Sequence, residues 1–163
     1  DWADKSYTDY FQDANGDDFT APVMGLKAVH MGAELDAKFR ATRWLDFFVV
    51  VGYGNWKWKN DVSTVIFDDN GAIVDTVNVY ANDVNIGDRP QTQVVLGTKV
   101  QPMRGLHLNL SWRHYDRLYR GYDVTELDKQ GYEVEQLPSY SIVDFYAGYE
   151  FKIAGLSTLA GVN

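Results

Sequence analysis

The chain has 163 residues, a formal net charge of -8 and no cysteine. The acidic balance argues against a nucleic-acid partner, because neutralising phosphates needs a basic surface. Without cysteine there are no disulfides and no thiolate chemistry, and a structural zinc site loses its commonest ligand.

No signal peptide opens the chain. Asp1-Trp2-Ala3-Asp4-Lys5 reads as mid-protein sequence, so the true start is expected elsewhere. A first strand is predicted to end near Tyr7, followed by a long polar connection from about Thr8 to Gly25. Within it, Asp13-Ala14-Asn15-Gly16-Asp17-Asp18 imitates a calcium loop. An EF-hand needs Gly at its sixth position and Glu at its twelfth. Those positions hold Asp18 and Met24, so an Asn-Gly turn in an acidic loop is the better reading.

From Met31 to Arg40 the chain alternates. Ala33, Leu35, Ala37 and Phe39 fall on one face, and Glu34, Asp36, Lys38 and Arg40 on the other, which is the mark of a strand between two different environments. Ala41-Thr42-Arg43 is a short turn. Leu45 to Lys57 is the next strand, apolar on both faces from Phe47 to Val51. That apolar run is far below the roughly 18 residues of a membrane helix, a test that is blind to alternating barrel strands. A long polar connection runs from about Asn60 to Pro90. Asp69-Asn70-Gly71, between Val65-Ile66-Phe67 and Ile73-Val74, predicts a hairpin inside it.

Gln93 to Gln101 alternates again, with Val94, Leu96, Thr98 and Val100 against Val95, Gly97, Lys99 and Gln101. Pro102-Met103-Arg104-Gly105 is the second short turn. In the next strand Leu106, Leu108, Leu110 and Trp112 oppose His107, Asn109, Ser111 and Arg113. A third long connection covers about Arg120 to Pro138. From Ser141 to Lys152, Val143, Phe145, Ala147, Tyr149 and Phe151 oppose Asp144, Tyr146, Gly148, Glu150 and Lys152. Ile153-Ala154-Gly155 turns the chain into a last strand from Leu156.

These strands exceed the usual five or six residues of a soluble sheet and match the roughly nine to eleven of a tilted bilayer crossing. Short and long connections alternate strictly. Basic residues gather near the short turns and acidic ones in the long connections. Outer-membrane barrels have short turns at one end and long loops at the other. The expected fold is all-β: an antiparallel up-and-down transmembrane β-barrel segment of about seven strands. An odd count cannot close a barrel without edges, so residues 1–163 are read as part of a single barrel domain.

His107, Asn109, Arg113, Asp144 and Tyr146, with Glu34, Asp36, Lys38 and Arg40, are predicted to line the lumen. The alternative for the four charged residues of the early strand is a charge ladder satisfied between neighbouring strands. Trp44, Trp56, Trp58, Trp112 and Tyr119 are expected as membrane-interface aromatics, with stacking on a ligand at the barrel mouth as the alternative for Trp56 and Trp58. No catalytic residue, metal site or cofactor is predicted. Asp46, Asp116 and Asp144 lack a nucleophile or an oriented base, and His30, His107 and His114 lack ligand spacing.

The motifs resemble one family. Met31-Gly32-Ala33-Glu34-Leu35-Asp36-Ala37, continuing through Phe39-Arg40-Ala41-Thr42-Arg43-Trp44-Leu45, resembles the strand–turn–strand of TonB-dependent outer-membrane receptors. Gly54-Asn55-Trp56-Lys57-Trp58-Lys59-Asn60-Asp61 resembles a strand end common in receptors from Bacteroidetes-type bacteria. Val84-Asn85-Ile86-Gly87-Asp88-Arg89-Pro90-Gln91-Thr92 and Leu137-Pro138-Ser139-Tyr140-Ser141-Ile142-Val143-Asp144 resemble two further strand entries. Ala147-Gly148-Tyr149 and Ala160-Gly161-Val162-Asn163 complete the set.

The resemblance implies roughly strands 15 to 21 of a barrel of about 22 strands, the plugged-transporter class. The plug and the closing strand would lie outside this sequence. It implies active uptake of a scarce ligand, with an iron–siderophore or similar chelate first, and cobalamin or an oligosaccharide as alternatives. The implied partners are outer-membrane lipid, the rest of the barrel and its plug, the TonB complex through an N-terminal part, and a surface lipoprotein. Two other readings compete: a soluble lipocalin-like carrier, which predicts an inward apolar face, and a structural or secretion-associated outer-membrane barrel subunit.

Overall fold

The computed structural model of the chain describes residues 2–12 and 16–163. Among the described residues ten strands form in chain order: β1 (Trp2–Gln12), β2 (Asp18–Arg40), β3 (Leu45–Trp58), β4 (Val62–Asp68), β5 (Ile73–Val79), β6 (Pro90–Val100), β7 (Leu106–Tyr119), β8 (Gln136–Leu137), β9 (Tyr140–Ile153) and β10 (Leu156–Val162). One 3-10 turn, Val124–Glu126, interrupts them. The sheet order is β10-β9-β7-β6-β3-β2-β4-β5, with β1 on β2 and β8 on β7. The long strands thus follow one another as an antiparallel meander, and the sheet is open. The seven expected long strands correspond to β1, β2, β3, β6, β7, β9 and β10; β4 and β5 are the hairpin predicted inside the second long connection, and β8 is an addition in the third.

The chain divides into two compact units. The first comprises Asp1–Met31, Gly54–Arg89 and Leu118–Leu137; the second comprises Gly32–Tyr53, Pro90–Arg117 and Pro138–Asn163. All three short turns belong to the second unit and all three long connections to the first, so the division of connections read from the sequence is a division of the structure.

The second unit, the wall unit, is a single layer of strands. Leu45 through Tyr53 pair in unbroken register with Val100 through Thr92. Leu106 through Tyr115 pair likewise with Tyr149 through Tyr140, and β10 continues on β9 from Leu156 opposite Ile153. Directly opposite residues project to the same side. One face therefore carries Phe47, Val49, Leu96, Leu106, Leu108, Leu110, Trp112, Val143, Phe145 and Tyr149. Much of it is uncovered: Val143 is 65% exposed, Phe145 51% and Tyr149 44%.

The first unit, the loop unit, holds every buried hydrophobic residue among the described residues. Its core is Val23, Leu26, Ala28, Trp58, Val79, Ala81, Val84, Val124, Leu127 and Val134. The three long connections thus pack on one another. The polar connection expected from Thr8 to Gly25 is mostly strand, since β1 runs to Gln12 and β2 starts at Asp18. Its alternation is hidden by a phase shift. Ala21 and Val23 are buried, then Leu26 and Ala28, and the slip of one position falls at Gly25, whose φ is +79°. A bulge at a left-handed glycine does this.

Asn60 fills the bulge. Its Nδ2 donates to the Gly25 carbonyl at 3.1 Å, and its Oδ1 accepts from the Lys27 amide at 2.8 Å. Asn60→Ala removes both bonds and is expected to cost the loop unit about 1–3 kcal/mol. Asn60→Asp keeps the acceptor, loses the donor and should recover part of that loss. Denaturant titration of the three proteins checks the order.

The predicted hairpin at Asp69-Asn70-Gly71 is present. Phe67 pairs with Ile73, the Asp68 carboxylate caps the amides of Asn70 and Ala72 at 3.0 and 2.8 Å, and Gly71 takes φ +76°. Asp13, Ala14 and Asn15 of the calcium-like stretch lie outside the described residues.

Candidate functional site

On the wall unit, the face opposite the apolar one gathers the residues predicted to line a lumen. Lys38 and Arg40 both reach Asp46, at 2.9 and 3.1 Å. Arg113 pairs with Asp144 at 3.3 Å. Gln101 contacts the His107 ring at 3.0 Å, and the other nitrogen of that ring lies 3.8 Å from Glu150. Asn109 stands opposite Tyr146 in the β7–β9 register. Glu34 and Asp36 are exposed on the same strand as Lys38 and Arg40. Lys38 and Arg40 are thus ion-paired across to β3 through Asp46.

Two aromatic side chains on this face lie over glycines, Phe48 over one on the neighbouring strand β6 and Tyr146 over one on its own strand and one on β10. A Cβ on Gly97 would run into the ring of Phe48, and a Cβ on Gly148 into Tyr146, whose hydroxyl also lies over Gly161. The face is not wholly polar, since Phe48, Val50, Val95 and Leu159 share it by register. That mixture explains why Phe47 to Val51 read as apolar on both sides.

Arg117 sits apart from the polar residues. It takes φ +51°, a left-handed conformation that costs a non-glycine residue of order 1–3 kcal/mol. Its own amide donates to the Asp116 carboxylate at 2.7 Å. The guanidinium then reaches Thr92 Oγ1 at 2.8 Å and the Gln91 carbonyl at 3.1 Å, and lies 4.1 Å above the Tyr53 ring. Tyr53 and Thr92 are register partners, and Arg117 clamps this pair where the wall unit ends.

The expected interface aromatics separate. Trp44 is 48% exposed in the first short turn, and Trp112 stacks on His114 with centroids 5.5 Å apart. Trp58 corrects the expectation: it is 3% exposed in the loop core, so it anchors no interface. Its Nε1 donates to the Tyr122 hydroxyl at 2.9 Å, which in turn donates to the Asn85 carbonyl at 2.8 Å. Tyr119 also departs from the expectation by packing against that core. Trp56, half-buried, lies against the His30 ring at 5.6 Å. Aromatics near strand ends do not by themselves distinguish a belt from a core, because both place large rings there.

The loop unit is tied by further polar contacts that no motif in the sequence indicates. Asp83 receives Lys57 at 3.0 Å and Lys59 at 3.5 Å. Arg120 binds Glu126 at 2.7 Å and the Tyr132 hydroxyl at 3.0 Å. The Asp9 carboxylate accepts from both the amide and the hydroxyl of Thr125, at 3.1 and 2.8 Å. Asp9 and Thr125 lie 116 residues apart in the chain, and a contact at that separation has no local signature.

Three titrations follow. The Lys57 ammonium beside Asp83 and the Arg120 guanidinium beside Glu126 hold these carboxyls below their ordinary range. Burial pushes the Tyr122 phenol up to about 12. A depressed carboxyl stabilises the fold above its unfolded pKa and loses that contribution as pH falls through the folded value. A raised phenol contributes fully below pH 10 and loses its contribution as pH rises towards 12. The loop unit should therefore loosen on the alkaline side between about pH 10 and 12. Tyr122→Phe should flatten that limb, while costing about 1–3 kcal/mol at neutral pH because Trp58 Nε1 and the Asn85 carbonyl lose their partner. Tyrosinate absorbance and tryptophan fluorescence, followed together through an alkaline titration, check both statements.

Among the connecting segments of the loop unit lies a polar cavity of about 720 Å³, bordered by segments around Asp61, Tyr80–Asn85 and Gln130–Gln136, with Tyr119 beside them. Among the described residues no three His, Cys, Asp or Glu side chains converge as a metal site.

No family model, no curated protein and no solved structure matches this chain.

Proposed function

We propose that the chain forms part of the wall of a transmembrane β-barrel in the outer membrane, and that the barrel is a TonB-dependent transporter importing a scarce ligand. The observation that carries the membrane reading is the wall unit itself. It is one layer thick, one face is a continuous apolar surface, and every buried hydrophobic residue among the described residues lies in the other unit. Contiguous apolar surface of this kind needs a cover. Its paired stretches have the length of a tilted bilayer crossing, and lipid supplies the cover without a second layer of protein. The opposite face, with its ion pairs, suits a water-filled or plugged interior. A lipocalin-like carrier would turn its apolar face inward and its charges outward.

The transport role rests on the resemblance of the motifs to TonB-dependent receptors. It makes the loop unit the outward-facing side and the ligand, by resemblance, an iron–siderophore or similar chelate. Fractionation tests the first part. The protein should sediment with outer membranes, require detergent for release, and migrate anomalously in detergent electrophoresis until heated. A protein that stays folded and monodisperse in plain buffer would overturn it. Uptake that persists after the proton-motive force is collapsed would overturn the second part.

A further inference from the structure

We propose that the short-turn end of the wall unit binds the phosphate headgroups of anionic phospholipids. The inference rests on the membrane reading and deepens it by naming the lipid chemistry at one rim of the wall.

The three short turns share a pattern. Each sets an exposed cation beside an exposed apolar residue: Arg43 beside Trp44, Arg104 beside Met103, and Lys152 beside Ile153. No aspartate or glutamate lies in any of the turns. Arg43, Arg104 and Lys152 form no ion pair among the described residues. The carboxylates nearest Arg43 and Lys152 in the chain are engaged on the polar face, Asp46 by Lys38 and Arg40 and Glu150 beside His107. Three unpaired cations gathered in this way stand out in a chain of net charge -8.

The turns are also fixed to one another, in the order of the sheet. The Gln101 amide donates to the Trp44 carbonyl at 2.7 Å, which joins the second turn to the first. The Glu150 amide donates to the Gly105 carbonyl at 2.8 Å, which joins the second turn to the strand leading into the third. Inside the first turn, Thr42 Oγ1 accepts from the Trp44 amide at 3.2 Å. The cations therefore stand in a row on an ordered backbone, and a ligand need not order it.

Phospholipid explains both members of each pair. The apolar side chain settles at the acyl boundary while its neighbour reaches the headgroup. Arginine offers a phosphate two parallel N–H donors, and lysine a point charge. Leu156, the register partner of Ile153, and Phe39, both exposed, continue the apolar margin. An acidic protein segment would use the cations but has no need of an apolar neighbour at each.

The test uses the full chain reconstituted into phosphatidylcholine bilayers. Trace spin-labelled phosphatidylglycerol and spin-labelled phosphatidylcholine are compared, since the motion of the label separates lipid touching protein from free lipid. Phosphatidylglycerol should associate about threefold more than phosphatidylcholine at low salt, and the preference should fade at about 1 M salt. Arg43→Gln, Arg104→Gln and Lys152→Gln combined should remove the preference. Arg43→Lys combined with Arg104→Lys should keep it, because the charge is retained. Lys129→Gln, at an exposed cation of the loop unit, should leave it unchanged. Equal association of the two lipids with the parent protein, or an undiminished preference in the glutamine variant, overturns the proposal and leaves the membrane reading standing. Protein that restricts the motion of neither lipid overturns both.

Discussion

Trp58→Ala is expected to open the loop unit while leaving the wall unit paired. Trp58 is 3% exposed at the centre of the loop core. It packs edge-on against Tyr7, with centroids 5.6 Å apart, and its Nε1 bonds Tyr122. Truncating a buried tryptophan costs about 3–5 kcal/mol in lost burial and residual cavity. The Tyr122 hydroxyl keeps its bond to Asn85, so the loss is chiefly packing. Leu127→Ala, at a fully buried position, should cost about 2–5 kcal/mol in the same unit. Hydrogen exchange should show accelerated amides at Val79, Tyr80 and Leu127, with β7–β9 amides unchanged. Uniform acceleration through both units would mean that the loop core also supports the wall.

Val49→Arg has the opposite address. Val49 stands opposite Leu96, midway along the paired stretch from Leu45 to Tyr53, on the apolar face. If lipid covers that face, an arginine there costs about 2–4 kcal/mol in a bilayer. Ser111→Arg lies on the other face, opposite Asp144, and should stay within about 0.5 kcal/mol of the parent. Denaturant titration of the protein folded into vesicles measures the difference. Equal effects at the two positions would contradict the two-faced wall.

Much of the wall is legible in the amino-acid sequence, for a physical reason. A strand between two environments must alternate with period two. Met31 to Arg40, Leu106 to Arg113 and Ser141 to Lys152 each display that period. Their short turns carry local signals, such as Gly155 with φ +84°. The loop unit is far less legible. Its bulge at Gly25 shifts the phase of alternation. Its core joins residues from Val23 to Val134, and its bonds join Asp9 to Thr125 and Trp58 to Tyr122. Contacts at such separations leave no period in the sequence. The polar lining of its cavity reads as ordinary loop composition, because amides, acids and tyrosines in a connection look alike whether they face solvent or a ligand.

The Trp56–Trp58 pair shows the limit sharply. Spacing places both on one face near a strand end, and two environments suit a ring there. Only the fold of the long connections back onto β3 decides that Trp58 is buried while Trp56 stays half-covered.

The central claim is that lipid covers the apolar face of the wall unit. The chain has no cysteine, so single cysteines can be placed at Leu96 and Phe145 on that face and at Asn109 on the other, each carrying an environment-sensitive fluorophore. With the protein reconstituted into bilayers, quenchers attached to the acyl chains should quench the labels at Leu96 and Phe145 and spare the label at Asn109. A water-soluble quencher that reaches all three labels equally, with no quenching from the acyl chains, would contradict it.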